Sequence, residues 1–114
     1  MKEIEKILIE AAKEHYESGT FSIKKNKYNS AVVLFFKSLI ALCDIYILRK
    51  TKSTPSSHNS RFRILKEISR EVYDLLDKDF PFYQESYFQR MTKELAEIIK
   101  DDAENLAKKL EIEL

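Results

Sequence analysis

Two histidines, His15 and His58, a single cysteine, Cys43, and a run of lysines and arginines hold most of the reactive side chains of this 114-residue chain. General acid–base chemistry needs a group that titrates near neutrality, within hydrogen-bond reach of the reacting proton, and histidine suits that task best. His58 precedes Arg61 by three positions. It reads either as a titrating group beside a cation or as a helix-start residue hydrogen-bonded to its own loop, and the second is the expectation. His15 falls on a helical apolar stripe and is expected in a core or an interface. A metal site needs three or four converging ligands, and two histidines and one cysteine on separate helices do not make one, so no metal is expected. A lone glycine, Gly19, excludes a glycine-rich phosphate loop, and no cofactor is expected. Ser57 adjoins His58 in sequence only, which is no basis for nucleophilic catalysis. Cys43 reads as a small buried hydrophobe. One cysteine permits no intrachain disulfide, which fits a reducing cytosol, and the expected location is cytoplasmic.

Cations supply the remaining candidate site. Lys24, Lys25 and Lys27 form one cluster, and Arg49, Lys50, Lys52, His58, Arg61 and Arg63 a second; both are candidates for binding nucleic acid or a nucleotide. Between Lys24 and Arg63 nine basic residues face one acid, Asp44, a local charge of +8, whereas Ile64–Leu114 carries −5. The whole chain is at +1, so the asymmetry lies in distribution rather than in net charge. In an up-and-down bundle the two clusters lie at opposite ends and meet only if dimerisation brings those ends together. Five rings, Phe80, Phe82, Tyr83, Tyr87 and Phe88, fall within nine residues. Base stacking is one use for them; plugging a bundle end or anchoring a dimer is the expected one. Phe35, Phe36, Phe82, Tyr83, Tyr87 and Phe88 are accordingly the candidate interface residues.

The elements that must position these groups are helices. Ala31–Leu48 (AVVLFFKSLIALCDIYIL) holds only Lys37, Ser38 and Asp44 as polar residues, with no Gly or Pro, and reads as a helix buried on nearly every side. Lys37 and Asp44 would be costly at bilayer depth, so a core helix is expected rather than a membrane span. Lys37, Ala41, Asp44 and Leu48 fall on one narrow side that reaches water. This helix starts near Tyr28–Ser30, with Asn29 or Ser30 as cap, and ends near Arg49 or Lys50. Before it, a helix from Lys2 to about Ile23 turns Ile4, Ile7, Leu8, Ala11, Ala12 and His15 toward a core. Gly19 in that helix allows a close neighbour. The acid-rich start of the chain is not expected to be a signal peptide.

Thr51–Ser57 is a proline-containing loop. A helix from about His58 to Asp77 follows, capped by Ser56 or Ser57, with Phe62, Leu65, Ile68, Val72, Leu75 and Leu76 inward. Pro81 at a first helical position predicts a break over Lys78–Phe82. The last element runs from Phe82 to about Leu110, continuous or bent near Arg90–Thr92 with Thr92 as a second cap, and Glu111–Leu114 frays. The class is all-α: one domain over residues 1–114, an up-and-down bundle of four to five helices.

The stretch from Ala11 to Lys50 resembles the first helical hairpin of HEPN domains. The features that carry the likeness are the Lys27–Tyr28 turn, the very apolar second helix with Ala31 and Ala41, and Pro55-Ser-Ser-His58 at the start of the next helix. The aromatic run Tyr83–Phe88 and the small-residue ending Asp102-Ala103-Glu-Asn-Leu-Ala107 are also similar. The resemblance implies a bundle that dimerises through helical faces. It implies either a metal-independent ribonuclease with Arg four to six residues before His, or a non-catalytic partner of a nucleotidyltransferase or a toxin–antitoxin component. Arg49 precedes His58 with eight residues between them, so the nuclease pattern is missing, and no enzymatic activity is expected. A tetratricopeptide unit is a weaker likeness, because the pattern does not recur thirty-four residues on.

Overall fold

A helix as apolar as the second one must be wrapped by others, and the computed structural model, which describes residues 2–114, has that arrangement. The helices are α1 (Lys2–Lys24), α2 (Tyr28–Thr51), α3 (His58–Ile68), α4 (Arg70–Glu85) and α5 (Lys93–Lys109). Helix α2 packs against all four others. It is long and apolar enough to cross a membrane, yet 72% of its most apolar stretch is covered by the rest of the bundle, which accounts for its composition without a bilayer. The directions of α1, α2, α4 and α5 alternate. Glu5 of α1 meets Arg49 of α2, Asn29 and Arg49 of α2 meet Met91 and Leu110 at the two ends of α5, and Lys78 of α4 meets Asp102 of α5. The all-α, up-and-down bundle is therefore the fold, with α3 a short inserted helix against α4.

Close approach of α1 and α2 rests on small residues. Ser38 Oγ donates to the Ala12 carbonyl at 2.8 Å, and Ala12 and Ala31 are fully buried. A Cβ on Gly19 would sit 2.7 Å from the Phe35 ring, so the glycine makes room for that ring. The inward line of α1 runs through Leu8, Ala12, Tyr16, Gly19 and Ile23. Ile4 and Ile7, expected inside, are 42% and 57% exposed, because they lie on a second stripe one position round the helix.

Several boundaries differ from expectation. The cap of α2 is Lys27, which makes no side-chain hydrogen bond; Asn29 instead reaches across to the segment between α4 and α5. The expected single helix His58–Asp77 is broken at Ser69, whose extended backbone (φ −159°, ψ 104°) ends α3 while its hydroxyl accepts the Val72 N–H at the start of α4. The apolar phase runs on through the corner, which hides it from periodicity. Pro81 opens no helix and lies inside α4. Phe80 and Tyr83 either side of it pack on Phe36 (ring centroids 5.9 and 4.7 Å), and that burial carries the helix past the missing N–H. The break comes instead over residues 86–92, and Thr92 caps α5 as expected, accepting the Leu95 N–H. Ser57 caps α3 in a reciprocal box with Ser60. The tail does not fray: Glu111 at φ 61° turns the chain, Ile112 N–H donates to the Ala107 carbonyl, and Ile112 and Leu114 pack on the core.

Candidate anion-binding groove

The narrow side of α2 carrying Lys37, Ala41 and Asp44 floors a groove of about 400 Å³ between α1 and the start of α3. Leu8, Ala11, Ile40 and Ala41 make an apolar wall; His15, Lys37, His58 and Arg61 bring polar and basic groups to the same space. The Ser57–Ser60 box fixes the first turn of α3 and so sets where His58 and Arg61 emerge. Arg61 lies flat against Asp44, Nε to Oδ1 at 2.6 Å and Nη2 to Oδ2 at 3.0 Å, both side chains about nine-tenths buried. Its Nη1 donates to His58 Nδ1 at 3.0 Å. A guanidinium has five N–H groups. Three are used here, and two have no acceptor among the described residues.

Accepting from Arg61 through Nδ1 leaves His58 with its proton on Nε2. Burial and then the Arg61 charge hold its pKa below the ordinary histidine value, against the opposing pull of Asp44. The Arg61–Asp44 pair is self-compensating, so Lys37, exposed and in no ion pair among the described residues, sets the sign of the groove at about +1.

The structure separates the sequence-derived basic residues. Lys24, Lys25 and Lys27 lie at the α1–α2 turn, and Arg49, Lys50 and Lys52 at the other end of α2, whose 24 residues span about 36 Å. Arg49 is tied to Glu5 and to the Leu110 carbonyl (2.8 Å), and the Lys50 ammonium sits 5.6 Å over the Tyr46 ring. Arg63 points outward from α3. Of the nine candidate residues Lys24, Lys25, Lys27, Arg49, Lys50, Lys52, His58, Arg61 and Arg63, only His58 and Arg61 enter the groove, in the reverse order of the spacing that the nuclease pattern demands. Phe35 and Phe36 are fully buried in the protomer's own core and offer nothing to a second copy. Phe82 and Tyr83 are half-buried, while Tyr87 and Phe88 are 71% and 74% exposed. Sequence reasoning left Lys37, Asp44 and His15 out of the site. The signal was present in α2 itself, where a lysine and an aspartate seven residues apart interrupt an apolar run.

A second titratable cluster lies where α4 meets α5. Asp79 is fully buried with neither carboxyl oxygen hydrogen-bonded, next to Asp102, which pairs with Lys78 at 2.8 Å. Burial, then the neighbouring Asp102 carboxyl, pushes the Asp79 carboxyl up to about 8, against the pull of the Lys78 ammonium 3.8 Å away. Cys43 of α2 is fully buried, and burial, then the Asp44 charge, pushes its thiol pKa up. No group of three or more His, Cys, Asp or Glu that would hold a metal occurs among the described residues.

Compared with protein families, with characterised proteins and with solved structures, the chain matches none.

Proposed function

We propose that this chain is a non-catalytic binding module of the HEPN-like kind, and that its groove takes a nucleotide. The observation that carries this reading is the pairing, in one groove, of an apolar wall (Leu8, Ala11, Ile40, Ala41) with an unpaired Lys37 and the two spare N–H groups of Arg61. A flat base suits the wall and a phosphate suits the cations. What favours binding over turnover is that His58 Nδ1 is committed to Arg61 as an acceptor.

Calorimetric titration with AMP, adenosine and inorganic phosphate tests this. AMP binds more tightly than either fragment, and Lys37→Gln weakens it about tenfold, the loss of one charge-assisted contact worth roughly 1.4 kcal/mol. AMP binding no tighter than adenosine overturns the reading. RNA cleavage that disappears on His58→Ala overturns its non-catalytic part.

The resemblance also suggests a twin copy and a nucleotidyltransferase or toxin–antitoxin partner. Exposed Ile4 and Ile7 beside the groove support a contact surface on α1 in place of Phe35 and Phe36. Light scattering at micromolar concentration tests it: a dimer that Ile7→Glu splits is expected, and a strict monomer removes it.

A further inference from the structure

The end of the bundle remote from Lys52 combines features that lie far apart in sequence. The Asn29 side chain donates to the carbonyls of Ser86 (2.9 Å) and Gln89 (2.7 Å) and accepts the Met91 N–H (2.9 Å), which fastens residues 86–91 beside the start of α2. Tyr87 and Phe88, bracketed by those contacts, thereby lie at the same end of the bundle as the α1–α2 turn with Lys24, Lys25 and Lys27; Arg90 is on the same segment and Lys93 opens α5. These five cations are exposed, and none forms an ion pair among the described residues. Phe21, 60% exposed, stands on the last turns of α1 with the Lys25 ammonium 5.5 Å over its ring. Tyr87 is held by Tyr83, hydroxyl to hydroxyl at 2.9 Å with the rings edge-on, and Tyr83 stacks on buried Phe36, so this ring is set in place on the core.

We propose that this end of the molecule binds single-stranded nucleic acid, with Tyr87 and Phe88 stacking on bases and Lys24, Lys25, Lys27, Arg90 and Lys93 meeting phosphates. Exposed rings among unpaired cations, one of them held on the core, match a strand that alternates bases with charges. Asn26, Ser86 and Gln89 interrupt the rings, so the surface lacks the continuous apolar area that would suit insertion into a lipid surface. The site is independent of the nucleotide groove.

Fluorescence anisotropy with a labelled 12-nucleotide uridine RNA, across a salt series, tests the proposal. Affinity falls as salt rises, and the double change Lys25→Gln with Lys27→Gln reduces the logarithmic salt slope by about 1.4. The double change Lys50→Gln with Lys52→Gln, equal in charge at the opposite end, leaves affinity within about twofold. Phe88→Ala weakens binding about tenfold and Phe88→Trp restores it; Phe88 is exposed, so melting curves of these variants match the parent. Binding indifferent to Phe88→Ala overturns the proposal in favour of plain attraction to polyanions. So does equal sensitivity at the two ends, or binding to anionic vesicles without binding to RNA.

Discussion

At the scale of single residues, Gly19 carries the most direct consequence of packing. Alanine is the better helix former by about 1 kcal/mol, but its Cβ would meet the Phe35 ring at 2.7 Å in a fully buried layer. Gly19→Ala is therefore destabilising, by roughly 1–3 kcal/mol of overpacking in a denaturant titration. Asp44 and Arg61 make a second case. Asp44→Asn leaves the buried guanidinium without its carboxylate and costs about 3–5 kcal/mol. Asp79 supplies the pH dependence. Its folded pKa of about 8 lies above the value near 3.9 of a free aspartate, so the folded chain binds this proton more tightly than the unfolded chain does. The contribution is whole below about pH 4 and is lost as pH rises toward 8. Asp79→Asn, which imitates the protonated carboxyl, is expected to melt at a higher temperature than the parent at pH 8 and to flatten the decline between pH 5 and 8. Little of this was legible beforehand: Asp79 reads as one acid among thirteen in an acidic segment, and only the fold buries it.

Helices and their ends were legible wherever a local signal stood alone. Apolar length marked α2, serine and threonine caps marked the starts of α3 and α5, and Gly19 marked a close contact. Two signals misled for physical reasons. Ser69 interrupts a stripe whose phase is unbroken, so periodicity joined α3 to α4. Pro81 promised a boundary, but Phe80 and Tyr83 seated on Phe36 outweigh the hydrogen bond that the proline removes. Pro81→Ala restores that bond on an exposed face and is expected to raise the melting temperature, at about 4–8 °C for each kcal/mol gained. Thr92→Ala removes the α5 cap and lowers stability by about 1 kcal/mol. The candidate site was half legible for the same kind of reason. His58 and Arg61 share one face a turn apart on α3, whereas their meeting with Lys37 and His15 depends on how three helices cross.

The whole molecule is organised around α2. Sheathing it fixes the directions of the long helices; on the side that floors the groove Lys37 alone is exposed, while Ala41, Asp44 and Leu48, expected to reach water, are covered to 6%, 8% and 3% exposure. The charge asymmetry of the sequence resolves into separate places: a basic, aromatic end at the α1–α2 turn, a second basic end where Arg49 alone is paired with an acid, and a groove whose surplus charge comes from Lys37. Two-dimensional amide NMR of the intact chain during an AMP titration tests nucleotide binding in that groove most directly. The account predicts saturable shifts concentrated at Ala11, His15, Lys37, Ala41, His58 and Arg61, and their loss in Lys37→Gln. Saturable shifts confined to the Tyr87–Phe88 end, or no shifts at millimolar AMP, would contradict it.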